Sequence, residues 1–410
     1  LAKKSVDARK KEDVHFVCQV EAAIDGDVER LLSRRRDPSI QKAVPYRYEL
    51  PRCGKLPQRP VVVGFGPAGM FAALLLAQCG QEPIVLERGQ AVEERERAVQ
   101  RFWKERVLDS QSNVQFGEGG AGAFSDGKLN TGTRDPSHRF ILGELVAHGA
   151  PESILCDAKP HVGTDYLHRV LASLRRELVS LGCDIRFGHQ VTGLVLKEGR
   201  LSALEVQGPE GCYVLPAQEA VLALGNSARD TFEMLHAAGV PMEPKPLAVG
   251  VRIEHLQKDM DAVQYKAQAG HPRLGAASYK LSCHLESGRS VFSFCVCPGG
   301  TVVAAASEAD RAVTNGMSLY ARDGENINGG LLVSVTPEDF LGDDPLAGIA
   351  FQRELEAHAY AAGGGGYIAP AQRVGDFLAH RPSTGPGKVT PTYRRRPLVR
   401  PVGGTAALYL

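Results

Sequence analysis

Apolar runs and their spacing divide the chain before any chemistry is considered. Val14, Phe16, Cys18 and Val20 alternate with polar residues, which predicts a half-buried strand near the start. Pro45, Pro51, Gly54, Pro57 and Pro60 then mark a linker. Val61-Val62-Val63 is a short continuous apolar run of the kind found in strands buried on both faces. Met70 to Cys79 is nearly all apolar, helix-compatible and closed by Gly80, and Ile84-Val85-Leu86 predicts a second buried strand. Leu167, Val170, Leu171, Leu174 and Leu178 recur at helical spacing over 166–181. Strands follow over 184–187 and 191–196, and 201–206 with 213–215 extend them into a meander. Ala220 to Leu224 reads as another buried strand, ending at Gly225. From 241 to 380 the pattern changes to many short β-like runs, including 247–253, 291–296, 301–306 and 331–335.

Chemistry concentrates between residues 61 and 88. Val61–Val63 runs into Gly64-Phe65-Gly66-Pro67-Ala68-Gly69, then a helix, then a strand ending in Glu87-Arg88. This is the order of a dinucleotide-binding βαβ unit. Gly64 permits the tight turn, Gly66 lets backbone N–H groups approach a pyrophosphate, and Gly69 lets the helix pack on the strand. The helix N-terminus, at Pro67 and Ala68, offers free N–H groups and a positive dipole end to phosphates. Glu87 lies 18 residues after Gly69, where a carboxylate can accept ribose hydroxyls. A second GxGxxG, Gly117 to Gly122, follows no strand run and leads into the turn Phe124-Ser125-Asp126-Gly127. It reads as an open loop able to wrap a flat or phosphorylated ligand, with Gly119 and Gly120 within it. The meander and the strand ending at Gly225 are the layout of FAD-binding folds, in which Val191 and Gly225 pass close to the cofactor; plain NAD dehydrogenases lack that meander.

Composition narrows the partners. The 410 residues carry a net charge of +1, which argues against a dedicated nucleic-acid binder. The charge is uneven: residues 1–57 have 13 basic and 9 acidic side chains, and 381–410 have 6 basic and none acidic. The Arg34-Arg35-Arg36 cluster is read as a solvated patch. The basic ends keep a flavin-dependent RNA- or protein-modifying module as a further reading. Nine cysteines, mostly single, suit reduced thiols better than a disulfide framework. No apolar stretch approaches bilayer length, no secretory signal is visible and the chain starts at Leu1, so a processed or fragmentary start is expected.

Several longer strings resemble a known family. They are Ser5 to Lys11, the βαβ unit, Phe116 to Gly122 running on to Leu129, Ser227 to Phe232, Gly250 to His255, and Phe294 to Gly300. Together they resemble the uncharacterised FAD-dependent dehydrogenases, or NAD(P)/FAD-dependent oxidoreductases, of bacteria and plastid-bearing eukaryotes. The resemblance runs from about residue 3 to residue 393. It implies FAD, a small N-terminal ferredoxin-like appendage and an undefined substrate. Asn226 stands where members commonly have His. Members also continue beyond the Pro391-Thr392-Tyr393 region with a glycine-rich segment over the flavin, whereas here Arg394 opens a short unrelated tail. A truncated or frame-shifted end with weakened cofactor retention is therefore expected.

The fold expected is α/β: a three-layer FAD-binding, Rossmann-like domain of the glutathione-reductase type, with an inserted mixed α+β domain and the N-terminal appendage. The boundaries expected are 1–57, 58–240, 241–380 and a basic, divergent or truncated tail at 381–410. The cofactor-binding set is Gly64, Gly66, Pro67, Ala68, Gly69, Glu87, Arg88, Gly119, Gly120, Ser125, Asp126, Gly127, Val191 and Gly225. Ser125 and Asp126 either hydrogen-bond the flavin or hold their turn. Cys295 and Cys297, two apart on a strand, are either packing or a redox pair, and no basic neighbour is evident. Arg252 and His255 either face substrate or pair structurally with Glu254 or Asp230. His161 reads as a cap or surface residue, and Gly363 to Gly366 as a loop tip. No side chain declares itself as acid or base, and no second Cys or His pair completes a metal site. The function expected is hydride transfer through flavin N5 for a small-molecule substrate, with NAD(P)H as reductant, in the cytoplasm or plastid stroma. The alternative is a non-catalytic remnant with an impaired FAD site.

Overall fold

The computed structural model describes residues 1–397 except 36, 134, 341–343, 386 and 394, so Arg36 and the tail beyond 397 lie outside the described residues. Strand β1 (Lys3–Asp7) pairs antiparallel with β2 (His15–Gln19), and helix α1 (Val28–Arg35) follows. Of the alternating residues, Val14 and Phe16 are partly covered while Cys18 and Val20 are exposed. The hairpin meets the rest of the chain at Lys4, whose N–H donates to the Cys156 carbonyl and whose carbonyl accepts from the Ala158 N–H. One hairpin and one helix fall short of a ferredoxin-like βαββαβ unit. The linker is not free: the Tyr48 ring stacks on Phe140 with centroids 4.3 Å apart.

The βαβ expectation is met by β3 (Val61–Val63), α2 (Pro67–Gln78) and β4 (Ile84–Glu87). Helices α3 (Val92–Glu105), α4 (His138–Ala147) and α5 (Thr164–Ser180) lead to β5 (Asp184–Phe187). An antiparallel meander follows, of β6 (Gln190–Lys197), β7 (Arg200–Gly208) and β8 (Gly211–Pro216). Then come β9 (Ala220–Leu222) and α6 (Arg229–Ala237). The parallel sheet runs β5-β4-β3-β9. Val62 and Val85 point to one face and pack with Met70, Leu74, Leu174 and Leu178 of the helices. Val61, Val63 and Leu86 point to the other and pack with Val191, Leu204, Val206 and Leu215 of the meander. Burial on both faces is why these strands are apolar without alternation.

The β9 strand departs from its expectation. It ends at Leu222, and Val221 and Leu222 are 40% and 43% exposed, not buried. Among the described residues it has β3 as its one partner, so an apolar run that suits a central strand here forms an edge.

Beyond residue 246, β10 (Leu247–Leu256), α7 (Gln257–Tyr265), β11 (Ser282–His284) and β12 (Ser290–Cys297) come first. β13 (Thr301–Ala304), β14 (Thr314–Met317) and β15 (Asn326–Val335) follow. An antiparallel sheet runs β10-β15-β12-β11. Helix α8 (Ala347–Gly363), unforeseen in the sequence, packs Ala347, Phe351 and Leu355 on Val249 and Val335 of that sheet. Of the four glycines, Gly363 is the buried end of the helix and Gly364 to Gly366 form the turn that follows it. Gly364 caps the helix at φ +83°, and a Cβ on Gly363 would lie 1.8 Å from the Ile368 carbonyl oxygen.

Trp103 Nε1 on α3 donates to the Ala304 carbonyl at 2.9 Å, and Phe102 meets the Tyr367 ring edge-on at 5.0 Å. Arg229 on α6 donates to Glu356 on α8 at 2.5 and 2.9 Å and to Glu308 at 2.9 Å. Arg353 extends the network to Glu308 and Glu233. Replacing Arg229 with Ala leaves the Glu356 carboxylate buried without its cation. We expect a loss of about 3–5 kcal/mol, read as a lower urea midpoint, with Glu356→Gln losing less.

Candidate functional site

The expected dinucleotide residues converge on one cavity of about 360 Å³. Gly64, Gly66, Pro67 and Ala68 line one side, Glu87 and Arg88 a second, Gln190 and Val191 a third, and Leu222 to Ala228 a fourth. Gly120 and Phe116–Gly117 close it from the glycine-rich loop. It opens at the carboxyl ends of β3, β4 and β9, where the strand order turns back on itself, the usual ligand crevice of a parallel sheet.

Two glycines of the turn are fixed by the protein itself. Gly64 has φ +98°, and a Cβ there would lie 2.4 Å from the Ala223 oxygen; a Cβ on Gly69 would lie 1.9 Å from the Gly64 oxygen. Gly69 therefore sits behind the cavity and sets the distance of helix to strand. Gly66 differs: a Cβ would find its nearest neighbour, Gly120 Cα, at 3.7 Å. Gly66 is also the N-cap of α2, with Pro67 at the first helical position and no side chain capping the helix. The first turn of a helix leaves its N–H groups without intrahelical acceptors.

Glu87 is buried, and its carboxylate is already engaged. Oε2 accepts from the Phe65 N–H at 2.7 Å, and Oε1 from the N–H groups of Gly89 and Gly117, both at 2.9 Å. It ties the glycine turn to the glycine-rich loop, and Oε2 keeps a second lone pair for a ligand hydroxyl. Arg88 is not free either: it donates to both Asp230 oxygens at 2.9 and 2.5 Å and lies over the Phe116 ring. Asp230 thus partners Arg88 and not Arg252.

The loop owes its shape to Arg95, which the sequence did not single out. This fully buried guanidinium donates to the carbonyls of Asn113, Val114, Gly117, Glu118 and Gly120 at 2.6–3.3 Å. Desolvation pulls Arg95 down to about 10, so it stays charged near neutrality. Gly119, Ser125, Asp126 and Gly127 stand off the cavity wall. Gly119 packs on Leu171, and Ser125 accepts from the Gly127 N–H and donates to the Gly122 carbonyl, holding the turn. Asp126 is 1% exposed and takes hydrogen bonds from Ser318 and Arg322, with Lys128 Nζ at 2.9 Å. Burial opposes its charge, but Arg322, Lys128 and Ser318 outweigh it and hold Asp126 below the ordinary carboxylate range.

Other candidates scatter. Gly225 and Asn226 line the cavity. His161 is neither cap nor surface: its Nε2 lies 3.0 Å from the Tyr320 carbonyl oxygen, and its ring stacks on Tyr320. Arg252 and Glu254 line a second cavity of about 470 Å³ beside Thr314, Arg373 and Tyr393. His255 meets Tyr279 instead. Among the described residues no His, Cys, Asp and Glu group is placed to hold a metal ion, and no helix is long and apolar enough to cross a membrane.

Two outcomes follow. Glu87→Ala strips three buried N–H groups of their acceptor, so the ligand-free chain itself loses about 2–5 kcal/mol in denaturant unfolding; an unchanged midpoint would remove the tie. Asp126 has a depressed pKa when folded, so its contribution is complete above about pH 4 and fades as acid protonates it. Asp126→Asn should therefore cost stability at pH 7, and the gap to the parent should narrow as pH falls below about 4, in urea titrations at each pH.

Comparison with known proteins adds the family. The profile described as "FAD-dependent protein, C-terminal domain-like" matches residues 246–402. An uncharacterized protein of Clostridium beijerinckii (strain ATCC 51743 / NCIMB 8052) is 47% identical over 396 residues, covering 96% of this chain and 73% of its own. Among solved structures, the flavin-dependent brominase Bmp2 aligns at 13% identity over 74% of this chain and 60% of its own, with a TM-score of 0.37. THI4 of Thermovibrio ammonificans aligns at 18% identity over 46% and 66%, with a TM-score of 0.29. The chain spans less than two thirds of either solved protein, and at these scores neither carries weight here. The clostridial relative and the matching profile show the family: the chain belongs with the FAD-dependent proteins, and its cofactor is FAD.

Proposed function

We propose that the 360 Å³ cavity is the FAD site of an oxidoreductase that moves a hydride between a small-molecule substrate and the flavin. One observation carries the reading: the uncapped N-terminus of α2 opens into the cavity at the carboxyl ends of β3 and β4, beside Gly66. Nothing in the protein fills the space before Gly66 as tightly as before Gly64 or Gly69, which fits a cradle kept open for a pyrophosphate. On this reading the architecture is the FAD-binding, glutathione-reductase type, with units at 58–240 and 241–380 and a small piece at 1–57.

The residues then divide the work. The first turn of α2 and the Gly64–Gly69 turn orient the phosphates through backbone N–H groups. Glu87 offers its remaining Oε2 lone pair to the adenosine ribose. Arg88, neutralised by Asp230, serves as a wall over Phe116 rather than as a phosphate ligand. Val191 and Gly225 line the far side, and Gly120 to Gly122 of the glycine-rich loop face the redox end. When bound, FAD supplies the two-electron chemistry, through N5. We take NAD(P)H as the reductant, and nine free cysteines fit a reducing compartment, cytoplasm or plastid stroma.

Two measurements test this. Gly66→Ala should leave the unfolding midpoint of the ligand-free chain unchanged while weakening FAD at least about tenfold, or 1.4 kcal/mol, in a titration. Equal affinity would move the pyrophosphate elsewhere. Anaerobic mixing of the FAD-loaded chain with NADPH or NADH should bleach the flavin band. Bleaching by dithionite alone would withdraw the nicotinamide half of the proposal.

A further inference from the structure

We infer that Cys295 and Cys297 form a thiol–disulfide exchange centre for low-molecular-weight disulfides, with Cys295 attacking and Cys297 resolving. On a regular strand, thiols at i and i+2 simply share a face. Here β12 is not regular: its pairing to β15 slips between Phe294 and Cys297, and Cys295 adopts φ +43°. A non-glycine residue in the left-handed region at a bulge is uncommon, and bulges re-aim side chains. The two sulfurs end 3.9 Å apart.

The surroundings are charged, contrary to the sequence reading. Lys128 Nζ lies 3.8 Å from Cys297 Sγ, and Arg252 Nη1 donates to the Cys295 carbonyl at 3.2 Å and to Asn328 at 2.5 Å. Asp126 in turn pairs with Lys128 at 2.9 Å. A hydrogen bond from Cys297 pulls the Cys295 thiol down against its burial, helped by Lys128 and Arg252, while the same coupling and burial push Cys297 up. Cys295 is half-buried and Cys297 fully buried, so a small disulfide meets Cys295 first.

The exchange balances. The Cys295 thiolate attacks one sulfur of the external disulfide, forming a mixed disulfide and expelling one thiolate. Cys297 then loses its proton and attacks Cys295 Sγ, forming the internal bond and expelling the second thiolate. Two protein thiols are oxidised, the external disulfide is reduced, and the two protons released leave two small thiols.

The chain contains its own control. Cys53 and Cys79 also interact with each other, and both donate to the Pro51 carbonyl oxygen, but burial and Cys53 raise the Cys79 thiol. The native full chain is incubated with glutathione disulfide at pH 7, quenched in acid and mapped by tryptic mass spectrometry. Peptide 290–311 carries Cys295 and Cys297 and no other cysteine. It should acquire an internal disulfide before Cys53, Cys79 or the exposed Cys18, Cys212 and Cys283 react. Cys297→Ser should stop at a glutathione adduct on Cys295, Cys295→Ser should leave Cys297 unmodified, and Lys128→Met should slow the reaction about tenfold or more. Oxidation of Cys53 and Cys79 while peptide 290–311 stays reduced, or reaction of that peptide only in urea, overturns the proposal. So does an unchanged rate in folded Lys128→Met, with folding checked by circular dichroism.

Discussion

The site rests on opposed charges that grip one loop from two sides. Arg95 takes five carbonyls of residues 113–120, and Glu87 takes the Gly117 N–H together with the N–H groups of Gly89, just past its own strand, and of Phe65 in the glycine turn after β3. A glycine-rich segment has no side chains with which to hold a shape, and its conformational entropy favours collapse or disorder. Here its backbone polar groups are satisfied by a cation and an anion that also attract each other. Removing either charge would leave its share of the buried backbone groups without a partner.

The far end of the loop is held with the polarity reversed. Asp126 accepts from Arg322 and Ser318, which follow β14, and pairs with Lys128 of its own loop. The loop that borders the cavity is thus also tied to the segment between β14 and β15. Ser125 and Asp126, read from the sequence either as flavin partners or as holders of their turn, make bonds that hold the turn.

The sequence was most legible where structure is local. Gly64, Gly66, Gly69 and Glu87 lie within one strand–turn–helix–strand, and their spacing follows from turn geometry and helix rise. Arg95 was invisible because its five acceptors are backbone carbonyls, which leave no trace in residue identity. The exposed β9 was misjudged because apolar content records what a strand can be buried by, while edge position belongs to topology. Helix α8 was hidden by its glycines and alanines, which blur the apolar period. Lys128 and Arg252 were unseen beside Cys297 because tertiary packing alone brings them there.

The order of the sheet carries a consequence for synthesis. Val61 pairs with Ile84 on one side and with Ala220 on the other. The first pairing is available as soon as one short βαβ unit has emerged, but the second waits for the helices and the whole meander. Until β9 docks, Val61–Val63 has an open flank and the cavity lacks the wall from Leu222 to Ala228. Long-range parallel pairing of this kind is slow because loop closure precedes the contacts that reward it. A nascent chain can thus display the glycine turn long before it has an enclosed pocket, and any ligand that needs the enclosed pocket waits until the middle of the polypeptide has been made.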